Sequence, residues 1–124
     1  MIIAGTRTLE NYEIVKAYAD YKLSKIKEPI EIVSGRARGA DSLGERYAKE
    51  KGYALKLFPA DWEQYGKRAG VIRNAAMAEY ADALLAYWDG QSRGTKNMID
   101  EATARGLKVS IKIYSVRNSL DKRT

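Results

Sequence analysis

Apolar residues along this chain fall into short runs and helically spaced stripes, separated by polar, glycine-bearing breaks. Ile2 to Ala4 is a short apolar run that stops at Gly5-Thr6-Arg7-Thr8, which reads as a buried strand and a tight turn. Tyr12, Val15, Tyr18, Ala19, Leu23 and Ile26 then recur at helical spacing, predicting an amphipathic helix from Leu9 to Lys27 that Pro29 closes. Ile30 to Val33 reads as a second strand, followed by Ser34-Gly35-Arg36-Ala37-Arg38-Gly39-Ala40-Asp41. The next helix runs to about Lys51, with Leu43, Tyr47 and Ala48 inward and Gly52 as its stop. Tyr53 to Phe58 is a third strand, and Pro59 opens a long loop reaching Arg68. A helix starting near Ala69 or Gly70 is expected to carry Ile72, Ala75, Ala76 and Tyr80 inward. Ala83 to Trp88 is the most apolar strand, and Thr95 is expected to cap a helix bearing Met98, Ile99 and Ala102 on one face. Leu107 to Ile113 is a fifth strand.

Strand and helix alternate four times and close on a strand, with no break in composition. That order predicts an α/β fold: a five-stranded parallel sheet with helices on both faces. The runs Ile2-Ile3-Ala4 and Ala83-Leu84-Leu85-Ala86 are apolar at every position, as central parallel strands should be. One domain is expected over 1–114, with a polar tail at 115–124 that is frayed or weakly docked.

Composition narrows the chemistry. A chain of 124 residues has room for one core. No apolar run approaches the ~20 residues of a membrane helix, and the first residues do not read as a signal peptide. The absence of cysteine suits a reducing compartment, and a cytoplasmic location is expected. The absence of histidine excludes a Ser-His-Asp triad and an imidazole zinc site, and no metal is expected. A net charge of +6 favours an anionic partner or serves general solubility.

The distribution of that charge is the sharper observation. Ligands of open parallel sheets sit beyond the carboxyl ends of the strands. The four loops expected there carry Arg7, Arg36, Arg38, Lys67, Arg68, Arg73, Arg93 and Lys96 against Asp41, Asp61, Glu63 and Asp89. Three of them place glycine before a helix: Gly5, then Gly35 and Gly39, then Gly90 and Gly94. Glycine lets backbone N–H groups approach a phosphate, and a helix N-terminus adds about half a positive charge. Ser92-Arg93-Gly94-Thr95 is the best cradle, since it joins backbone donors, hydroxyls and a guanidinium. Any short strand-to-helix turn also favours such residues, so it is their recurrence at several loops that carries weight. Trp62 and Tyr65 can stack on a base or pack on their own loop. Asp61 and Glu63 can orient a ribose hydroxyl or act as a base. Asp41 is read first as the N-cap of the second helix and second as a ligand group. Arg73-Asn74, on the first turns of the third helix, can reach the cleft or face solvent.

Together these loops resemble the YspA-type (YpsA-related) family of the SLOG superfamily. The resemblance rests on Gly5-Thr6-Arg7, Ser34 through Asp41, Phe58-Pro59-Ala60-Asp61-Trp62, Gly66 through Gly70 with Arg73-Asn74, and Trp88 through Thr95. It spans roughly 1–113, and members occur in bacteria and their phages. It implies a Rossmann-like three-layer sandwich, a sheet ordered 3-2-1-4-5, and a nucleotide-derived ligand at the carboxyl edge. The superfamily also includes the LOG phosphoribohydrolases and the single-stranded DNA protein DprA. In LOG enzymes a glycine-glycine-x-glycine-threonine loop is followed closely by a glutamate that acts on the ribosyl bond. This chain keeps Gly94-Thr95 but has Lys96-Asn97 where that glutamate is expected, and Glu101 comes a turn or more too late.

Three functional readings follow. The leading one is a sensor or sequestering domain for a nucleotide or an ADP-ribose-like ligand. Its expected contacts are Gly5, Thr6, Arg7, Ser34, Gly35, Arg36, Gly39, Asp41, Asp61, Trp62, Arg73, Asn74, Asp89, Ser92, Arg93, Gly94 and Thr95. The second is an N-glycosidic or phosphate hydrolase using Asp41, Asp61 or Asp89 as acid or base. The third, less favoured, is single-stranded nucleic-acid binding of DprA type. No membrane partner is expected. Homo-oligomerisation suits the superfamily, and Tyr12, Tyr18, Tyr21, Tyr47 and Tyr80 read as core or as a dimer surface.

Overall fold

A computed structural model describes residues 1–114, so the expectation for the tail at 115–124 lies outside the described residues. Strands β1 (Ile2–Gly5), β2 (Glu31–Ser34), β3 (Ala54–Leu57), β4 (Ala83–Trp88) and β5 (Lys108–Ile113) form one sheet in the order β3-β2-β1-β4-β5. Every pairing is parallel, from Ile2 opposite Val33 to Trp88 opposite Ile113. The helices are α1 (Tyr12–Leu23), α2 (Ala40–Lys51), α3 (Trp62–Tyr65), α4 (Ala69–Tyr80) and α5 (Arg93–Ala104), with a 3-10 turn at Gly66–Arg68 between α3 and α4. This is the Rossmann-like α/β architecture that the alternation and the family resemblance imply. No helix among the described residues is long and apolar enough to cross a membrane.

The two-residue period of the strands divides the core into two layers. Ile3, Leu85 and Tyr87 point toward α1 and α2, where Val15, Ala19, Tyr47 and Ala48 meet them. Ile2, Ala4, Leu84 and Ala86 point the other way, onto Met77, Ala78, Met98, Ile99 and Ala102 of α4 and α5. At roughly 1.5–3 kcal/mol per fully buried large aliphatic side chain, these central strands carry much of the burial that stabilises the fold. The edge strands are exposed, and Lys56, Lys108 and Lys112 mark them against edge-to-edge pairing.

Several boundaries differ from the sequence pattern. Helix α1 begins at Tyr12, because the Asn11 side chain accepts the Glu13 N–H and caps it there. It ends at Leu23, after which Ile26 is largely exposed. In α4 the buried stripe is Ala69, Asn74, Met77 and Ala78; Ile72, Ala75 and Ala76 are half-buried and Tyr80 is exposed. Thr95 does not cap α5. Ser92 does, its Oγ accepting the Thr95 N–H at 3.3 Å, which puts Arg93 and Gly94 inside the first turn. The long loop after Pro59 is not structureless either, since Asp61 caps the short helix α3 by accepting the Gln64 N–H at 3.0 Å. Tyr12 and Tyr47 belong to the core, whereas Tyr21 is 72% exposed.

Candidate functional site

The strand order reverses between β1 and β4, which opens a crevice beyond their carboxyl ends. A short stitch fixes its floor: the Thr6 N–H donates to Tyr87 O at 2.9 Å, and the Asp89 N–H donates to Thr6 Oγ1 at 3.2 Å. Two adjoining lobes occupy the crevice. The first, about 330 Å³, is lined by Arg7, Gly35, Arg36, Ala37, Arg38, Pro59, Ala60, Trp62 and Arg73. The second, about 280 Å³, runs from Gly5, Arg7 and Asp41 across Lys67 and Arg73 to Ser92, Arg93, Gly94, Thr95 and Asn97. Arg7, Ala37, Trp62 and Arg73 border both.

Backbone geometry explains how four arginines reach one lobe. Gly39 precedes α2 at φ 74°, and a Cβ there would strike Thr6 O and the Arg7 carbonyl. The β1 and β2 loops can thus touch only if this residue has no side chain. Gly35 is enclosed differently. A Cβ on it would lie 2.8 Å from Arg73 Nη1 and 2.9 Å from Asp41 Oδ2, so Arg73 and Asp41 close over bare backbone.

Arg73 is the hinge between the lobes. Its Nη1 donates to Gly35 O and its Nε donates to Asn74 Oδ1 at 3.0 Å. Asn74 in turn donates through Nδ2 to Asn97 Oδ1 at 2.8 Å and to Gly94 O at 3.3 Å, tying α4 to the first turns of α5. Burial lowers the Arg73 pKa from its ordinary value; Asp41 opposes that and Arg7 adds to it. A desolvated guanidinium beside a second arginine is a strong point of attraction for an anion.

The three candidate acids separate clearly. Asp41 is 4% exposed and lies inside the first turn of α2; Gly39 occupies the capping position, so the N-cap reading is corrected. Its Oδ2 accepts the Ala37 N–H at 3.3 Å. Burial pushes its carboxyl up to about 6, against the pull of Arg73 and of the Ala37 and Gly5 N–H groups. Asp89 does not line the cleft. Burial disfavours its charge, but N–H donors from Gln91 (2.8 Å) and Ser92 (2.9 Å), with Thr6, outweigh that and hold it below the usual carboxylate value. Asp61 is an exposed helix cap away from the lobe walls. Among the described residues Asp41 is therefore the one acid lining these two lobes.

Of the other expected contacts, Gly5, Arg7, Gly35, Arg36, Trp62, Arg73, Asn74, Ser92, Arg93, Gly94 and Thr95 all line a lobe. Thr6, Ser34 and Gly39 stand behind the walls, Thr6 and Ser34 being buried. Glu45 escaped the sequence reading, although its place one turn after Asp41 put it on the same helix face. Its two oxygens take Ser34 Oγ at 2.6 Å and Arg36 Nη1 at 2.7 Å.

The family model described as the YspA, cpYpsA-related SLOG family matches residues 1–65, the span from β1 through α3. The chain belongs to this family. The model covers less of the chain than the roughly 1–113 over which the loop motifs show resemblance; Arg73 and the Ser92–Thr95 turn lie beyond its match. Gene 61 protein of Mycobacterium phage D29 is 37% identical over 116 residues, 88% of this chain and 92% of that protein. No solved structure matches the chain. Membership of a SLOG family points to a nucleotide-related ligand, bound or processed.

Proposed function

We propose that this SLOG domain binds a phosphorylated nucleotide or nucleotide-derived molecule, as a sensor or a sequestering domain, in the crevice between β1 and β4. The observation that carries this reading is the convergence of Arg7, Arg36, Arg38 and Arg73 on one lobe that, among the described residues, no acid lines. The adjoining lobe adds Arg93 and the first turn of α5, whose leading N–H groups have no acceptor within the helix. Trp62, 52% exposed and bordering both lobes, offers a face on which a base can stack.

Calorimetric titration with AMP, ADP and ADP-ribose tests the proposal. At least one should bind the wild type, and Arg93→Ala should weaken it by roughly 1.5–3 kcal/mol, about 10- to 150-fold, if the contact is charge-assisted. Unchanged affinity in the variant removes Arg93 from the site, and no binding of any phosphorylated nucleotide removes the proposal.

One observation favours a second reading, hydrolysis of an N-glycosidic or phosphate bond. Asp41 lines the lobe that holds Arg93 and its carboxyl titrates at about 6, within the working range of an acid–base group. Release of free base or ribose phosphate by the wild type, abolished in Asp41→Asn, would establish it. A nucleotide recovered intact after long incubation would end it.

A further inference from the structure

Arg36 stands on the wall of the first lobe in a conformation that its own backbone resists. Its φ is 64°, in the left-handed region where the Cβ of an L-residue crowds the following carbonyl. A closed ring of hydrogen bonds holds it there. The Arg36 N–H donates to Ser34 Oγ at 3.1 Å, the Ser34 hydroxyl donates to Glu45 Oε2 at 2.6 Å, and Arg36 Nη1 donates to Glu45 Oε1 at 2.7 Å. The partners are unequal in exposure: the Glu45 side chain is 12% exposed and that of Arg36 49%. Glu45 is the anchored end, seated on α2, and the guanidinium is the end that is held. A guanidinium carries five N–H donors in a planar fork, and this pair engages Nη1.

We infer that Glu45 is a positioning residue that fixes the Arg36 fork at the wall of the first lobe for an anionic ligand. The inference rests on the anion-site reading above and adds to it a residue that does not touch the ligand. A long arginine tied at one donor loses its rotamer freedom before the ligand arrives, so less order remains to be imposed on binding. The alternative role for Glu45, plain neutralisation of Arg36, predicts the opposite sign. Removing a negative charge beside the arginine lobe would then strengthen anion binding, whereas removing a positioner weakens it despite the added positive charge.

The test titrates inorganic pyrophosphate into wild type, Glu45→Gln, Arg36→Ala and the double variant, and records the Arg36 side-chain N–H signals by NMR. Glutamine keeps an acceptor for Ser34, so the variant should stay folded, which its thermal transition checks. Glu45→Gln should weaken binding about five- to twentyfold, the scale of losing one charge-assisted contact, and should add nothing in the Arg36→Ala background. In the wild type the Arg36 guanidinium should show restricted rotation that Glu45→Gln releases. Equal or tighter binding by Glu45→Gln, additive losses in the double variant, or a freely rotating Arg36 in the wild type would each overturn the assignment. Wild-type protein that ignores pyrophosphate counts against the anion site itself, and the NMR comparison then decides the Glu45–Arg36 coupling alone.

Discussion

The two ends of the sheet carry cavities of opposite character. Beyond the amino ends of the strands lies a groove of about 1000 Å³, lined by Leu23, Ile26, Pro29, Ile30 and Leu84. Its charges are mixed, with Lys22 and Lys108 facing Glu28, Glu31 and Asp82, and Tyr80 donates to Glu31. At the carboxyl ends each lobe is about a third of that size or less, yet among the described residues six cationic side chains line them beside one buried carboxyl. Among the described residues Arg7, Arg38, Lys67 and Arg93 form no ion pair. The largest cavity and the cationic one thus lie at opposite ends of the sheet. A parallel sheet is polar as a whole, because every crossover helix begins at the same edge and aims its positive terminus there. The groove at the other edge receives the chain returning from helices and has no such field.

The variant expected to damage this contrast most is Arg73→Met. Arg73 borders both lobes, holds Gly35 O, and supplies the positive charge that most offsets the burial of Asp41. Losing the charge-assisted bond to Gly35 O together with the cation that offsets the burial of Asp41 costs about 2–4 kcal/mol, discounted here for the partial exposure of Arg73. Nucleotide affinity should fall on the same scale, about thirtyfold or more, and the urea midpoint should drop with it. Binding within threefold of wild type would show that the lobes work independently of the residue joining them.

That hinge marks how much was legible in the sequence. The sheet and its parallel pairing follow from periodicity, because a central strand buried on both faces must be apolar throughout, as Ala83–Ala86 is. The loop arginines were legible as types, though not as partners. Nothing in the spacing says that Arg73 of α4 reaches Gly35 after β2, since that contact depends on how two helices seat on the sheet. Asp41 was misread as a cap because Asp before a helix usually is one; the Gly39 turn starts α2 earlier and turns the carboxylate inward. Asp61 and Asp89, plausible acids by type, are consumed by the backbone N–H groups of their own loops.

A second way to sharpen the comparison uses pH. The carboxyl-edge acid Asp41 is raised by burial from 3.8 to about 6. A carboxyl whose folded pKa lies above its unfolded value binds its proton more tightly in the native state. Its contribution is therefore fully present below about pH 4 and is lost as pH rises through about 6. Two pH units at about 1.36 kcal/mol each give a slope worth roughly 2–3 kcal/mol across that window. Asp41→Asn, whose amide oxygen can still accept the Ala37 N–H, should flatten this slope and gain stability at pH 7 relative to wild type. Parallel stability profiles of the two proteins between pH 4 and 7 would show instead that the pairing with Arg73 keeps Asp41 ionised throughout.

The smallest expected effect carries the most general point. Lys108→Glu places a negative charge in the amino-edge groove and lowers the net charge of +6 by two. Lys108 opens β5 and pairs with Ala83, at the far end of the strands from the cleft. With about 3.3 Å per residue, β5 itself sets some 17 Å between the two edges, twice the ~8 Å screening length at physiological salt. If the cleft draws its ligand through converging donors, affinity at that ionic strength should change by less than about twofold. If overall positive charge were the attraction, the same substitution should weaken binding severalfold and more so at low salt, and the distinction between the two edges would collapse into a single diffuse field.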